Sequence, residues 1–449
     1  MCVPRLGLLT GWIAAAILVS LVLMAVSPAR GEKMSFLANA KIKIGVDLEQ
    51  GGTITYLSPS GSDRNIINAH DRGRQIQLSF YSGPQPYGQA HPAWKNWPWN
   101  PIGTGDVYGH ASQVLTCTND GKTLYVKSIP LQWALDNVPG ECTFETWITL
   151  SANTAHVRNR LVNHRSDRTP YAAFDQELPA VYTVGKLYRL FTYDGSKPFT
   201  GQPARRIENN GPPWAGWSAT EHWAALLDDS NWGLGIVHPG VFTFIGGFHG
   251  PPNVGGPKED STGYIAPVRK EILDHNIDYE YHYDLVLGTL DQIREYANAS
   301  QPKDQRPDYV FSKDRQHWIY VNAQDTGWPI EGHLRVKLEQ DDPQMIGPEQ
   351  WWSAETTPDL FIRAAFQTKL TRAEIFWKVL GQTGFAGEQR VSFEIKPDGQ
   401  FHTYRVHLAG APGYTGTITG LRFDPIPSGG PGEYADIAWI SWRQHEQNH

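Results

Sequence analysis

The sequence predicts an all-β protein with two consecutive β domains. The chain of 449 residues contains 44 Gly and 32 Pro, and aromatic residues make up 12% of it. Short segments of alternating polarity recur along the chain between turn residues, which is typical of β-sandwiches and barrels. No long helical pattern separates these segments, so a parallel sheet with crossover helices is not expected.

Alternating segments cover the first region of the chain. Residues 41–65 predict a strand, a Gly-Gly turn and a second strand. Residues 74–80 alternate in polarity as a half-buried strand does. Residues 222–240 predict a hairpin, and residues 279–300 predict a strand followed by one short helix.

The second region follows a polar linker. The segment SQPKDQRPD, residues 300–308, is charged and contains proline, which is typical of linkers. Seven or more short strand-like segments follow it and predict a β-sandwich. We therefore divide the chain into a leader at 1–31, a β domain at 35–300 that we expect to be catalytic, and a β-sandwich domain at 309–446 that resembles carbohydrate-binding modules.

The leader has the pattern of an export signal. Arg5 precedes a largely apolar run from Leu6 to Val26, and small residues follow at Ser27–Ala29. The apolar run is also long enough for an uncleaved membrane anchor. We expect a secreted, periplasmic or cell-surface protein that contacts a membrane only if the leader is uncleaved.

Charge and cysteine content limit the partners and the redox chemistry. The formal net charge is -7 and the chain shows no basic patch, so no nucleic-acid partner is expected. Beyond the leader only Cys117 and Cys142 remain, and an oxidising compartment favours a disulfide between them. A buried pair of thiols is the alternative.

One connecting segment, residues 91–110, is unusually aromatic, and we call it the aromatic loop. Connections lie at the surface, and exposed rings cost hydrophobic free energy unless something covers them. Because the C–H face of a sugar stacks on indole, the loop predicts a carbohydrate contact; the alternative is that its rings cap the core. Its candidate residues are Trp94, Trp97, Trp99, Tyr108 and His110.

Two carboxylates are candidates for catalysis. Asp175 and Glu177 would share one face of a strand, separated by about 7 Å. Such a pair tends to split its pKa values, which suits an acid and a base acting on one glycosidic bond. An ordinary solvated strand face is the alternative, and Pro179 suggests that the strand ends there or lies at a sheet edge.

Other polar residues are candidates for substrate contacts. Arg74 would bind a uronate carboxylate through two hydrogen bonds, but Arg74 and Gln77 lie on opposite faces of a regular strand unless a bulge intervenes. The remaining candidates are Tyr81, Glu221, His222 and His249. The chain has no HExxH, CxxC or EF-hand pattern, so we expect no metal and no other cofactor.

Several segments carry a resemblance to known proteins. GGTITYLSPSG, NIINAHDRGRQIQLSFYSGP, DQELPAVYT, EHWAALLDDSNWGLGIVHP and GYIAP, in this order, resemble uncharacterised exported bacterial proteins. Their N-terminal region looks like the galactose-mutarotase-like β-supersandwich, a fold of sugar epimerases, polysaccharide lyases and some glycosidase domains. The mutarotase motif, a His in an Asn-His-x-x-Phe-Asn setting, is absent, which disfavours simple mutarotation. IEGHLRVKLEQDDPQM, EIFW and YADIAWISW resemble jelly-roll modules attached to carbohydrate-active enzymes.

These observations predict a carbohydrate-active enzyme that cleaves glycosidic bonds of a polysaccharide or oligosaccharide. In a hydrolase, Glu177 would protonate the leaving oxygen while Asp175 activates water. In a lyase, Tyr81 or His110 would remove the C5 proton while Arg74 neutralises the uronate. The hydrolase is favoured because it needs only the carboxylates. The alternatives are a non-catalytic glycan-binding protein and a sugar epimerase.

Overall fold

The computed structural model describes residues 33–300 and 305–445, which form almost only β structure. These residues form four antiparallel sheets of 10, 9, 6 and 6 strands and one α-helix, α1 (Leu290–Ser300). The all-β prediction is therefore confirmed. The predicted leader and residues 301–304 of the predicted linker lie outside the described residues.

The first region contains nineteen strands that form the two larger sheets. In chain order they are β1 Met34–Ala38, β2 Ile42–Asp47, β3 Thr53–Pro59, β4 Ile76–Ser79, β5 Pro101–Ile102, β6 Gln113–Asn119, β7 Thr123–Ile129, β8 Leu131–Gln132, β9 Cys142–Ser151, β10 Thr154–Asn163, β11 Phe174–Val184, β12 Arg189–Thr192, β13 Arg205–Ile207, β14 Ala215–Ser218, β15 Trp223–Leu227, β16 Trp232–Val237, β17 Thr243–His249, β18 Thr262–Glu271 and β19 Asp278–Thr289. The predicted hairpin is β15–β16, and the predicted strand and helix are β19 and α1.

The two larger sheets pack face to face around one core. The first has the order β1-β2-β3-β4-β11-β18-β17-β14, with β5 beside β4 and β8 beside β5. The second has the order β13-β12-β15-β16-β19-β10-β9-β7-β6. Phe80, which follows β4, contacts Phe144 of β9 and Tyr279 of β19 at ring-centroid distances of 5.4 Å and 5.9 Å. Because side chains alternate across a strand, every second residue of β4 points away from this core.

Strand β11 contains a bulge that shapes the outer face of the first sheet. Its pairing with β18 runs as far as Glu177↔Val268 and resumes at Val181↔Ile265. Pro179 lies in this interval, and a bulge tolerates a residue that has no backbone N–H to donate. The expectation that the strand ends near Pro179 or lies at a sheet edge is therefore wrong, because β11 continues between β4 and β18.

The second region forms the two six-stranded sheets. In chain order its strands are β20 Asp308–Val310, β21 Ile319–Val321, β22 Gln324–Asp325, β23 Leu334–Lys337, β24 Gln344–Ile346, β25 Trp352–Ser353, β26 Asp359–Gln367, β27 Arg372–Val379, β28 Arg390–Glu394, β29 His402–His407, β30 Thr417–Asp424 and β31 Tyr434–Ser441. One sheet has the order β22-β23-β31-β26-β29 with β20 beside β31, and the other has the order β21-β24-β30-β27-β28 with β25 beside β30. A separate apolar core packs between them.

Ion pairs connect the two regions. Nη1 of Arg315 lies 2.6 Å from Oδ2 of Asp274, and Nδ1 of His317 lies 2.8 Å from Oε1 of Glu271. Burial alone would raise the pKa of Glu271, but the charges of His317 and Arg269 lower it to about 2. Glu271 therefore stays ionised at neutral pH and accepts a hydrogen bond from His317.

The structure contradicts the favoured disulfide. Cys117 lies on β6 and Cys142 begins β9, and β7 runs between these strands. Two strand spacings amount to roughly 10 Å, which exceeds the Cα separation that a disulfide spans. No disulfide joins the two residues, and both side chains are buried, as the alternative of buried thiols requires.

This arrangement predicts that reductant leaves the stability of the fold unchanged. We expect the chain without residues 1–32 to show two reactive thiols in denaturant before reduction, because neither sulfur is held in a disulfide. The measurement is thiol titration in denaturant, together with the thermal unfolding midpoint with and without reductant. A midpoint that falls on reduction would contradict the prediction.

No helix within residues 33–300 or 305–445 is long and apolar enough to span a membrane.

Candidate functional site

A cleft of about 520 Å³ lies on the outer face of the first sheet. Gln77 of β4 and Ala180 of β11 line it, whereas Ile76 and Leu78 of β4 belong to the core. The aromatic loop and the segment around Pro212 also contribute to its lining. The cleft therefore combines rigid strands with connecting segments, an arrangement that is common in binding sites.

Glu177 lies in the cleft and accepts two tyrosine hydrogen bonds. The hydroxyl of Tyr81 donates to Oε2 at 3.1 Å, and the hydroxyl of Tyr264 donates to Oε1. Burial raises the pKa of Glu177, and hydrogen bonds from Tyr264, Tyr81 and Ser79 offset only part of this rise. Glu177 therefore holds its proton to a higher pH than an ordinary glutamate, as a general acid must.

Asp175 lies outside the cleft. Its carboxylate is exposed and Oδ2 lies 3.8 Å from Nζ of Lys270. Strand β4 ends at Ser79, which pairs with Glu177, so no residue of β4 encloses Asp175. Asp175 and Glu177 lie on the same strand, but only Glu177 lies in the cleft. The two residues are therefore not placed to act on one glycosidic bond as the expected acid and base.

Arg74 and Gln77 both line the cleft. Gln75, between them, has a φ of 81°, a left-handed conformation that breaks the alternation expected of a regular strand. A bulge was expected to be necessary for Arg74 and Gln77 to reach one cleft, and this turn has that effect instead. The side chain of Gln77 is buried, donating to the backbone oxygen of Arg74 at 2.8 Å and accepting from the backbone N–H of Thr104 at 3.0 Å.

The guanidinium of Arg74 is surrounded by carboxylates. Nη2 donates to Oδ1 of Asp260 at 2.6 Å, and Nε lies 3.1 Å from Oδ2 of Asp71. His249, which also lines the cleft, has Nε2 at 3.2 Å from Oδ2 of Asp260. Hydrogen bonding to Arg74 holds the pKa of Asp260 below its usual value, so this carboxylate is ionised at neutral pH.

Tryptophan side chains form part of the cleft wall. Trp94 contacts Trp97 at a centroid distance of 4.4 Å and Trp133 at 5.7 Å. Nε1 of Trp97 donates to Oδ1 of Asn100 at 2.9 Å, which fixes the orientation of its ring. Trp214 also lines the cleft and stacks on Tyr264 at 4.9 Å. These rings present apolar surface beside polar groups, as sugar stacking requires.

The other two aromatic candidates of the loop do not line the cleft. Trp99 is buried in the core, and the guanidinium of Arg165 lies 4.9 Å from its ring. Its expected role as an exposed sugar contact is therefore corrected. Tyr108 is exposed and packs edge-on against His91 at 5.2 Å, away from the cleft.

His110 does not line the cleft either, and its ring binds the carboxylate of Asp106 in a turn. Its Nδ1 lies 2.9 Å from Oδ2 of Asp106 and 3.5 Å from Oδ1 of Asp136. Within the described ranges these three residues are the group whose atoms come close enough to hold a metal ion. The oxygens of Asp106 already accept backbone N–H groups of Tyr108, His110 and Asn137, so a structural role accounts for them.

Glu221 and His222 are buried and lie outside the cleft. Glu221 accepts from Nη2 of Arg294 at 2.8 Å and from Nε1 of Trp223 at 3.0 Å, which ties helix α1 to β15. Nδ1 of His222 accepts from the backbone N–H of Gly240 at 3.3 Å. Their surroundings explain both residues structurally, and the structure does not bring them to a sugar site.

Sequence reasoning missed three aromatic residues of the site. Trp133 and Trp214 line the cleft, and Tyr264 bonds to Glu177. Trp214 belongs to the same Trp-rich segment as the candidates Glu221 and His222. The segment therefore contributes a residue to the cleft, but that residue is Trp214 and not either candidate. Nothing local distinguishes Trp133 or Tyr264, because β8, the aromatic loop and β18 meet only in the folded sheet.

Comparison with known proteins gives a likeness of fold. No protein-family model and no curated protein matches the chain. A putative aldose 1-epimerase from Escherichia coli K12 is 10% identical over 57% of this chain and 99% of its own, with a TM-score of 0.37. A galactose mutarotase related enzyme from Lactobacillus acidophilus is 10% identical over 57% and 97%, with a TM-score of 0.36. The 4-alpha-glucanotransferase from Thermococcus litoralis is 10% identical over 57% and 37%, with a TM-score of 0.33. Likeness at this level assigns neither substrate nor reaction.

The tyrosine contacts of Glu177 yield a prediction about its titration. We expect Tyr264→Phe to raise the pKa of Glu177 further, because the lost hydrogen bond stabilises the carboxylate. The measurement is a carbon-13 NMR titration of the Glu177 carboxyl. Tyr182→Phe is the matched control, since the Tyr182 ring stacks on Tyr264 at 4.7 Å. An unchanged or lowered pKa in Tyr264→Phe would contradict this assignment.

Proposed function

We propose that this protein is a carbohydrate-active enzyme that cleaves glycosidic bonds, with Glu177 as the proton donor. One observation carries the proposal: a glutamate with a raised pKa lies in a cleft whose wall is built of tryptophans. Trp94 and Trp97 offer apolar faces for a sugar ring, and Glu177 keeps its proton to a higher pH than an ordinary glutamate. A protonated carboxyl beside a bound sugar suits transfer of a proton to the leaving oxygen.

Hydrolysis also needs a group that activates water. Asp175 lies outside the cleft, whereas Asp71 lines it and Asp260 binds two of its residues. In the proposed reaction, the bond between the anomeric carbon and the leaving oxygen breaks as Glu177 protonates that oxygen. Water bonds to the carbon and gives its proton to an ionised carboxylate of this pair. Glu177 and the carboxylate then exchange protons with solvent and return to their starting states.

Elimination is less well supported than hydrolysis. Its base would be Tyr81, and burial raises the pKa of Tyr81 well above its usual value. A phenol with a raised pKa is rarely present as the phenolate, so it is a poor base at neutral pH. The other candidate base, His110, does not line the cleft.

A non-catalytic glycan-binding protein is the second candidate function. The tryptophan wall favours it by itself, because stacking needs no proton donor. Under this alternative Glu177 would serve only as a hydrogen-bonding partner of Tyr81 and Tyr264.

The test is incubation of residues 33–449 with a panel of neutral and uronic polysaccharides and free aldoses. Hydrolysis produces new reducing ends, elimination produces the absorbance of an unsaturated uronate, and epimerisation changes optical rotation. We expect new reducing ends from at least one polysaccharide. Binding without any of these three signals would support the second candidate, and neither binding nor turnover would overturn both.

A further inference from the structure

The charge around Arg74 bears on which sugars the cleft accepts. Among the described residues that line the cleft, the basic side chains are Arg74 and His249. Both are directed at the same carboxylate, Asp260, at 2.6 Å and 3.2 Å. The cleft therefore has no cationic group that lacks a carboxylate partner of its own.

The guanidinium of Arg74 uses all three of its nitrogens inside the protein. Nη1 donates to the backbone oxygen of Asp260 at 2.5 Å, and Nη2 donates to its carboxylate. Nε faces the carboxylate of Asp71 at 3.1 Å, and only 13% of the Arg74 side chain is exposed. Recognition of a ligand carboxylate by arginine depends on two parallel N–H groups of one edge, and Asp71 and Asp260 already occupy these edges.

The net charge of the cleft also disfavours an anionic ligand. Asp71 and Asp260 together carry two negative charges, and Arg74 supplies one positive charge. Glu177 adds no positive charge in either protonation state. A uronate carboxylate would lose water of hydration and face carboxylates without an available guanidinium, which is costly in a partly buried site.

The same groups suit uncharged hydroxyls. A carboxylate oxygen has lone pairs beyond those used by one salt bridge, so Asp71 and Asp260 can each accept a sugar hydroxyl. Trp94 and Trp97 supply the apolar surface on which the C–H face of a neutral pyranose would stack.

We propose that the cleft selects uncharged sugars and rejects uronates, and that the Asp71–Arg74–Asp260 cluster determines this selectivity. The proposal rests on the proposed function, since it names the substrate class of the same cleft. It also separates the two reaction classes, because elimination requires a uronate whose carboxylate is neutralised.

The test compares binding of neutral and uronic oligosaccharides of equal length. The probes are neutral oligomers of glucose, mannose and galactose, and oligogalacturonate and oligomannuronate, measured by isothermal titration calorimetry at one ionic strength. We expect at least one neutral oligomer to bind about tenfold or more tightly than any uronic one, the size of a lost charge-assisted hydrogen bond.

A variant tests whether the cluster is the cause. Asp71→Asn/Asp260→Asn removes both charges but keeps an amide oxygen that can accept from Arg74. We expect it to bind uronic oligomers about tenfold more tightly than the parent protein, so that the preference for neutral oligomers narrows. Asp175→Asn is the matched control, since it removes an exposed carboxylate of the same sheet outside the cleft.

The outcomes separate this inference from the proposed function. Uronic oligomers that bind the parent protein as tightly as neutral ones would overturn the inference and leave the proposed function intact. A neutral preference that persists unchanged in the double variant would overturn the role of the cluster. Binding of no oligomer of either class would overturn the proposed function, and with it this inference.

Discussion

Glu177→Gln is expected to lower kcat by about 10²–10⁴-fold, the usual contribution of a general acid. The substitution removes the carboxyl proton that the proposed reaction transfers to the leaving oxygen, while conserving the size of the side chain. The amide can still accept from one tyrosine, and the hydroxyl of the other can accept from the amide, so Tyr81 and Tyr264 keep partners. The measurement is the initial rate of release of reducing ends on the polysaccharide identified by the panel.

Two comparisons make this result specific. Glycan affinity of Glu177→Gln should stay near that of the parent protein, because the tryptophan wall is unchanged. Asp175→Asn, two residues away on the same strand, should keep its kcat because Asp175 is exposed and paired with Lys270. Full activity in Glu177→Gln would remove Glu177 from the mechanism.

The pH dependence of the reaction follows from the raised pKa of Glu177. A general acid is active while protonated, so activity should fall as the pH rises through the pKa of Glu177 in the enzyme. Burial places this fall above the ordinary range of a glutamate. Tyr264→Phe should move the same limb to still higher pH.

Strand alternation in the sequence was enough to predict the all-β architecture. The segments around residues 74–80 and 175–177 form β4 and β11, which lie side by side in the first sheet. Gln77 and Glu177 of these two strands line the cleft. The face of a strand follows from local period, because a residue and its second neighbour project on the same side.

Enclosure does not follow from local period. Asp175 and Glu177 are two residues apart, so local period assigns them to the same face of the strand. Their neighbours differ, because β4 ends at Ser79, the partner of Glu177. Both cysteine segments form strands, as expected. Strand β7 lies between them, however, and keeps Cys117 and Cys142 too far apart for a disulfide. Such neighbours come from distant parts of the chain.

The aromatic loop shows the same limit within twenty residues. Trp97 lines the cleft, whereas Trp99 pairs with Ser82 and turns its ring into the core. Composition predicts that the aromatic rings of such a loop are covered by apolar surface. It does not distinguish the surface of a ligand from that of the protein core. For His110 the sequence held an overlooked signal: Asp106, four residues earlier, binds its ring.

Arg315→Met is expected to destabilise the protein by roughly 3–5 kcal/mol, the cost of removing one partner from a buried ion pair. The side chain of Arg315 is 7% exposed, and those of Asp274 and Asp325 are 9% and 5% exposed. Nη2 of Arg315 donates to Oδ1 of Asp325 at 2.8 Å. Methionine fills much of the space but leaves two buried carboxylates facing each other without a positive charge.

The measurement is urea unfolding of the parent protein and the variant, followed by tryptophan fluorescence and by circular dichroism. Asp274 belongs to the first region and Asp325 to the second, so the loss should appear in the transition of the second region and in any coupling between the two. The control is Arg405→Met, whose ion pair with Asp359 involves an arginine that is 64% exposed; its effect should be much smaller, because solvent screens exposed pairs. Equal effects of the two substitutions would mean that Arg315 is not a buried connection between the regions, because only desolvation distinguishes the two pairs.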